Sequence, residues 1–339
     1  MIPAPVPSSP PSDWRRAVRT AVTSPDELVK LRERDEAWAR PARSLAHRFP
    51  LRVPREFVAR MRHGDPADPL LRQVLPLASE LDDCEGYVDD PVGDLDALAG
   101  PGLLRKYAGR ALLIATGACA VHCRYCFRRN FPYDKESATR SGFAAALEAL
   151  RADESLNEVI LSGGDPLTLS DRRLADFARE VQRIAHIRRL RVHTRLPVVV
   201  PQRIDEGFLH WWSSLSIDKV LVVHVNHARE IDSHVRESLA LLRASRTLLL
   251  NQTVLLRGVN DGPEPLIRLS EVLFESGVLP YYLHLLDPVS GAHHFDVPEA
   301  EARDYVSKMS QQLPGYLVPR LVREIPGAPA KVIVPPVSR

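Results

Sequence analysis

Three cysteines, Cys119, Cys123 and Cys126, fall within eight residues of RALLIATGACAVHCRYCFRR, residues 110–129. They follow an apolar run, Ala111–Ala115, that reads as a buried strand. A C-x3-C-x2-C spacing lets one short loop wrap three thiolates around a small object whose fourth partner comes from elsewhere. Structural zinc needs a fourth ligand, and His122 sits beside Cys123, poorly placed to close a tetrahedron on the same sulfurs. Disulfides would leave an odd thiol and imply an oxidising compartment. An iron–sulfur cluster on three thiolates, with one iron open to a further ligand, fits best. A non-catalytic zinc or redox-sensing module is the competing reading.

A second chemistry is sought through lysine, which is scarce: six residues, at 30, 106, 135, 219, 308 and 331. Lys30 and Lys308 lie on helical patterns with solvated charged faces, Lys219 precedes a strand, Lys135 follows the cysteine loop and Lys106 sits in a polar lead-in. Lys331 stands apart in EIPGAPAKVIV, a Pro/Gly-punctuated loop running into an apolar stretch. It is either an exposed lysine near the terminus or a nucleophile for a carbonyl cofactor.

Stepping from these residues to the elements that hold them, apolar runs alternate with amphipathic stretches from Arg110 onward. Strands are expected at Ala111–Ala115, Glu158–Leu161, Leu190–His193, Val220–Val225, Leu248–Leu255 and Pro280–Leu285, with helices at about 139–151, 170–184, 202–213, 230–244, 264–276 and 298–311. The strands are short, rich in Val, Ile and Leu and lack clean alternation, as expected for a parallel sheet buried on both faces. Six strand–helix units predict an α/β fold, a partial (βα)6 barrel, whose chemistry belongs at the C-terminal strand ends. Those ends carry the cysteine loop, Ser162-Gly163-Gly164-Asp165, His193-Thr194-Arg195, His224-Val225-Asn226-His227, Asn251-Gln252-Thr253, and His284 with Asp287. A glycine pair after a strand allows close approach of backbone to a ligand, though turns use such pairs routinely.

Upstream, residues 1–12 read as a disordered Pro/Ser tail with five prolines. Residues 13–100 read as an N-terminal helical appendage: helices at Trp14–Val22, after Ser24-Pro25-Asp26-Glu27 with its capping box, and around Arg55–Met61. Residues 101–339 form the barrel and its C-terminal Lys331 segment. Cys84 is taken as an ordinary thiol. The 45 basic and 43 acidic residues leave a net charge of +2, so no global field predicts a nucleic-acid or anionic-membrane partner. With no secretion signal or span of roughly 20 apolar residues, the expected compartment is the cytoplasm.

The three-cysteine spacing, with Tyr125 before the last cysteine, and the glycine pair one strand later resemble the radical S-adenosylmethionine (SAM) enzymes. In them the open iron chelates the amino and carboxylate groups of SAM. CRYCFRR, LSGGDPL, VVPQRI, NQTVLLRGVND and the final PG-x-x-x-K resemble the blocks of the lysine 2,3-aminomutase family in order and spacing, from Trp14 to the end. That resemblance implies a [4Fe-4S] cluster on Cys119, Cys123 and Cys126, and pyridoxal phosphate (PLP) on Lys331. Ser162, Gly163, Gly164, Asp165, His224 and Gln252 would line the SAM site, and Arg110 and Tyr107 would contact PLP. Arg128 would pair with the substrate carboxylate, and Asp287 and Glu324 would grip substrate amino groups. It also implies reductive cleavage of SAM, hydrogen removal from the β-carbon of lysine and migration of its nitrogen, with electrons from a donor such as flavodoxin.

Two departures narrow the branch. Free-lysine aminomutases of the family build a zinc site from a cysteine after the NQ…RGVND block and further cysteines beyond the PLP lysine; here Gly262 holds the first position and no cysteine follows Lys331. Glu324 stands where better-known members carry aspartate. A short, zinc-less chain resembles the branch that makes (R)-β-lysine for translation elongation factor P, attached by a ligase related to lysyl-tRNA synthetase. The alternative is a mutase making free β-lysine or β-glutamate; two acids, Asp287 and Glu324, suit a substrate with two amines better than glutamate.

Overall fold

The computed structural model describes residues 13–32, 43, 49–138 and 143–337; the Pro/Ser stretch 1–12 lies outside them. Ten strands form one sheet in sequential order: β1 (Leu98–Gly100), β2 (Leu103–Leu104), β3 (Arg110–Thr116), β4 (Glu158–Gly163), β5 (Arg189–Thr194), β6 (Asp218–Val223), β7 (Leu248–Val254), β8 (Leu279–His284), β9 (Arg320–Arg323) and β10 (Val332–Ile333). The six expected strands are β3 to β8, all parallel. The sheet runs further than the sequence suggested. After the helix Glu299–Gln312 a seventh parallel strand, β9, pairs with β8, and β1, β2 and β10 add antiparallel flanks. These additions are two to four residues long, too short to show periodicity. The ends of the sheet curl toward each other: Lys106, before β3, reaches Glu324, after β9, at 3.3 Å.

Helices at Ala144–Ala152, Asp171–Gln182, Glu206–Ser213, Ser233–Ala244, Pro263–Glu275 and Glu299–Gln312 follow the strands. Asp205 and Asp232 cap two of them, accepting from the Phe208 and Val235 amides at 2.8 and 2.9 Å. The Asp171–Gln182 helix buries Leu174, Phe177, Ala178 and Val181, the i, i+3, i+4, i+7 stripe of a helix lying on a sheet.

The two sheet faces are not equivalent. Leu113, Val159, Leu161, Leu190, Val192, Leu221 and Val223 join the main hydrophobic core under the helices. Their neighbours Ile114, Ile160, Val220 and Val222 are buried outside every hydrophobic core cluster and line the inner face. Accordingly β5 and β7 alternate between buried and half-buried positions, contrary to the uniform burial expected from composition. One face packs on helices and the other borders a lumen.

The N-terminal region is more than an appendage. Trp14, Leu28, Phe57 and Leu70 belong to the same core as the barrel residues. The expected helices are present at Trp14–Arg19, Pro25–Leu31 and Arg55–Ala59. This region also forms the seat of the cysteine loop. The His122 amide donates to Arg52 O at 2.9 Å and the Arg124 amide to Gln73 O at 2.9 Å. The Arg124 guanidinium grips the buried Glu80 carboxylate through Nε at 2.8 Å and through Nη2, and donates from Nη1 to Phe49 O at 2.8 Å. Arg129 adds a third guanidinium bond to Glu80 at 2.7 Å. Burial opposes ionisation of Glu80, but the two arginines outweigh it and hold the carboxyl below its ordinary range.

Removing one partner of a buried ion pair strands the other, at a cost of about 3–5 kcal/mol. Glu80→Ala, which strands Arg124 and Arg129 together, is expected to lower unfolding stability by that order, read as a shift in urea midpoint, whereas alanine at the exposed Arg172 leaves the midpoint within experimental scatter.

Candidate active site

The cysteine loop leaves β3 at Thr116 and passes directly over the end of β4. The Gly164 amide donates to Thr116 O at 2.6 Å and the Asp165 amide to Ala118 O at 2.8 Å. A Cβ on Gly163 would lie 2.7 Å from Thr116 O, and one on Gly164 would collide with Ala118 O. Gly163 also has φ +117, in the range that favours glycine. The glycine pair is therefore required first by the loop packed on it, whatever it offers a ligand. Tyr133 closes the other side, donating to Gly163 O at 3.0 Å.

The three half-buried thiols lie within one another's electrostatic reach. Cys119 is pushed well above the ordinary thiol range by burial and then by Cys126 and Cys123; Cys126 is pushed up to about 11 by burial and by Cys123. Among the described residues no three His, Cys, Asp or Glu side chains are arranged to hold a single metal ion. Three half-buried thiols on one loop are the donor set that an iron–sulfur core would take.

Asp165 is tied elsewhere. Its Oδ1 accepts from the Leu167 amide and Thr194 Oγ1 at 3.0 and 2.7 Å, its Oδ2 from the Arg195 and Leu196 amides at 2.8 and 3.0 Å. Both oxygens are spent joining the ends of β4 and β5, so the Asp165 side chain positions the site instead of reaching a ligand, as the motif had suggested.

Arg128, two residues past Cys126, enters the lumen. Its Nε donates to Asp94 at 2.5 Å and its Nη1 to Ser162 Oγ at 3.0 Å, and Nη2 has no hydrogen-bond partner among the described residues. Asp94 also pairs with Lys106 at 2.6 Å, Lys106 reaches Glu324 at 3.3 Å, and Glu324 pairs with Lys331. Burial works against ionising Asp94 and Glu324, but these cations outweigh it and keep both carboxyls low. Tyr107 lies beside Glu324 and carries the Arg110 guanidinium 5.4 Å from its ring centroid. Arg110 opens β3, level with Glu158, so it reaches this group from the N-terminal end of the barrel and not from the rim.

The remaining inner-face residues complete the wall. His193 and His224 meet with ring centroids 5.8 Å apart, and Gln252 Nε2 lies 2.9 Å from His284 Nε2. Burial, then neighbouring cations, depresses all three imidazoles, His224 to about 4, which makes them neutral. Asp287 lies within the field of Lys331, Glu324, Lys106 and Asp94, and its carboxyl is raised to about 7, chiefly by burial.

Sequence reasoning singled out Lys331, Glu324, Asp287, Arg128, Tyr107, Ser162, His224 and Gln252 as candidates, and the structure brings them together at this lumen, with the three candidate cysteines on the loop beside it. It missed Asp94 and Lys106. Asp94 is one of eight acids between positions 80 and 96, with nothing local to mark it, and Lys106 had been set aside as part of a polar lead-in.

Comparison with known proteins bears on the same residues. Residues 113–269 match the Radical SAM superfamily. The L-lysine 2,3-aminomutase of Escherichia coli K12 is 46% identical over 94% of this chain and 93% of its own length. That of Haemophilus influenzae is 43% identical over 95% of each chain. That of Clostridium subterminale is 31% identical over 96% of this chain and 78% of its own. The chain belongs to the lysine 2,3-aminomutase family. It is accordingly a radical SAM enzyme of the isomerase type, and membership implies SAM and a four-iron cluster as its cofactors. Among the described residues of this aminomutase-family enzyme, no helix is long and apolar enough to cross a membrane.

Asp287 gives the lumen a pH signature. A carboxyl raised from 3.8 to about 7 favours the folded state below its unfolded pKa, and that advantage fades as pH rises toward 7. Between pH 4 and 7, Asp287→Asn should therefore gain stability relative to the parent, by roughly 4 kcal/mol if the whole shift is expressed. Urea midpoints measured across that range check it; a constant difference between the two proteins would show that Asp287 does not titrate there.

Proposed function

We propose that this enzyme converts L-α-lysine to (R)-β-lysine, with PLP on Lys331, a [4Fe-4S] cluster on Cys119, Cys123 and Cys126, and SAM on the cluster's open iron. The observation that carries the reading is the order of charge along the lumen. A free guanidinium edge on Arg128 marks one end, and two carboxyls, Asp287 and Glu324, mark the other. A substrate with one carboxylate and a distal ammonium matches that order; glutamate would place its side-chain carboxylate against two acids.

When bound, the cluster and SAM supply a carbon radical and PLP supplies an electron-delocalising carrier for the amino group. The protein's residues do the rest. Arg128 holds the substrate carboxylate through Nη2, fixed in direction by Asp94 and Ser162 on its other nitrogens. With Lys331 holding PLP, Glu324 Oε2 would lose that partner while Oε1 stays held by Lys106, and it would accept from the side-chain ammonium beside Asp287. His224 and Gln252 flank the space where SAM would lie, their neighbours neutral, so no mobile proton competes there. Ile160, Val220 and Val222 keep the wall dry, and Gly163 and Gly164 let the cysteine loop seat against β4. Tyr107 and Arg110 approach the cofactor lysine from the opposite side.

The product's destination is proposed to be β-lysylation of translation elongation factor P, by a ligase related to lysyl-tRNA synthetase. Support comes from Gly262, which stands where the zinc-site members carry a cysteine, and from identity, 46% to the E. coli relative against 31% to the clostridial one. A cytoplasmic electron donor of the flavodoxin type completes the assignment.

Anaerobic incubation of the reconstituted enzyme with SAM, PLP, a reductant and L-lysine should yield β-lysine, resolved by chiral chromatography. Isomerisation of another amino acid with lysine untouched would overturn the substrate, and zinc without iron in the purified protein would overturn the radical chemistry. Lys331→Ala is expected to lose the PLP label fixed by borohydride and all turnover while keeping its iron; a retained label would move the cofactor lysine elsewhere.

A further inference from the structure

Arg195 ends β5 and lies beneath the cysteine loop, buried and outside the lumen just described. Its Nη1 is 2.8 Å from Cys123 Sγ and 2.8 Å from Tyr125 Oη. Its Nη2 donates to Gln73 Oε1 at 2.6 Å and to Glu230 Oε2 at 2.9 Å. Both terminal nitrogens are thus fully engaged, and the guanidinium cannot swing away from the sulfur.

Its partners are fixed in turn. Glu230, fully buried, accepts at Oε1 from Gln73 Nε2 at 3.0 Å and from the Asn226 and His227 amides at 3.0 and 3.1 Å. Asn226 Nδ2 donates to the same Gln73 oxygen at 3.0 Å. The aromatic rings of Phe57 and Tyr125 lie 5.3 and 5.8 Å from the guanidinium carbon. Holding Cys123 in place would need one hydrogen bond from a neutral donor. What the fold supplies instead is a permanent cation, desolvated, aimed at a sulfur and braced by three elements.

We propose that Arg195 sets the reduction potential of the cluster on Cys119, Cys123 and Cys126. This rests on the cluster reading above. One-electron reduction adds a negative charge to the iron–sulfur core and its thiolates. A guanidinium hydrogen-bonded to one of those thiolates, in a region of low dielectric, stabilises the reduced form more than the oxidised form. Glu230 tempers the effect without cancelling it, because it lies on the far side of the guanidinium from the sulfur. Arg195 is a positioning and tuning residue: it touches the ligand, not the substrate.

The test is a redox titration of the reconstituted full-length protein without SAM, following the reduced cluster by electron paramagnetic resonance, with iron and sulfide counted on each sample. At the potential where the parent is half reduced, Arg195→Gln should show a reduced-to-oxidised ratio about tenfold lower, equivalent to 59 mV for one electron. Arg195→Lys, which keeps the charge with fewer bonds, should fall between the two. An unchanged ratio in Arg195→Gln with full iron content overturns the proposal. Loss of iron from both variants also overturns it, since Arg195 would then retain the cluster and not tune it. Failure of the parent itself to bind iron would instead defeat the cluster reading.

Discussion

Five buried or half-buried charges alternate in sign across the lumen: Arg128, Asp94, Lys106, Glu324 and Lys331. The site depends on this chain, because an isolated charge in such a place costs several kcal/mol and would neutralise itself by gaining or losing a proton. Each member is tolerable only beside the next. On the function proposed above, binding here would be exchange. A carboxylate arriving at Arg128, or an ammonium arriving at Glu324, meets a group already desolvated and oriented by its other partners, so little reorganisation accompanies capture. Asp287 is the exception: it is held within the same field without a hydrogen-bonded cation among its described contacts, and its raised pKa expresses that unmet demand.

The polar residues at the strand ends divide into two sets by the direction of the pleat. Asn251 exchanges hydrogen bonds with the Val225 backbone, Thr253 donates to Val225 O, Thr194 to Asp165, and Asn226 accepts from the Val254 amide. These residues lock neighbouring strand ends together. Ser162, His193, His224, Gln252 and His284 sit on the alternate positions and face inward. Sequence displayed both sets together as polar strand ends, since residue type alone does not give pleat direction. A period of two, counted from the apolar core residues within each strand, separates them.

The parallel strands, their helices, the three cysteines and Lys331 were legible because each announces itself locally, by periodicity, by spacing or by scarcity. The residues that escaped act across long separations. Asp94 meets Arg128 34 residues away, and Lys106 meets Glu324 218 residues away. Gln73 joins Glu230 across 157 residues from a helical region that looked like an appendage. Nothing in the pattern around Gln73 or Glu80 reveals a buried partner. Their identity is fixed only once the cysteine loop is laid on them. That is also why the N-terminal region shares the barrel's core: the loop needs a rigid floor that the strand ends alone do not provide.

The loop from Gly117 to Arg129 then has two jobs that a single rigid body performs better than two. Cys119, Cys123 and Cys126 face one side, above the Arg195 brace, and Arg128 faces the lumen, above Asp94. Radical transfer between a cofactor and a substrate carbon tolerates little displacement, and an ångström of misplacement can lower a rate a hundredfold. If the thiolates and the carboxylate anchor rode on separate loops, their errors would add. With both on one loop, pinned at Glu80, Gln73 and the Gly163-Gly164 turn, a shift of the loop would move the proposed radical source and its proposed target together. The short spacing between Cys126 and Arg128 is therefore itself a positioning device, and the buried ion pairs beneath it make that device stiff.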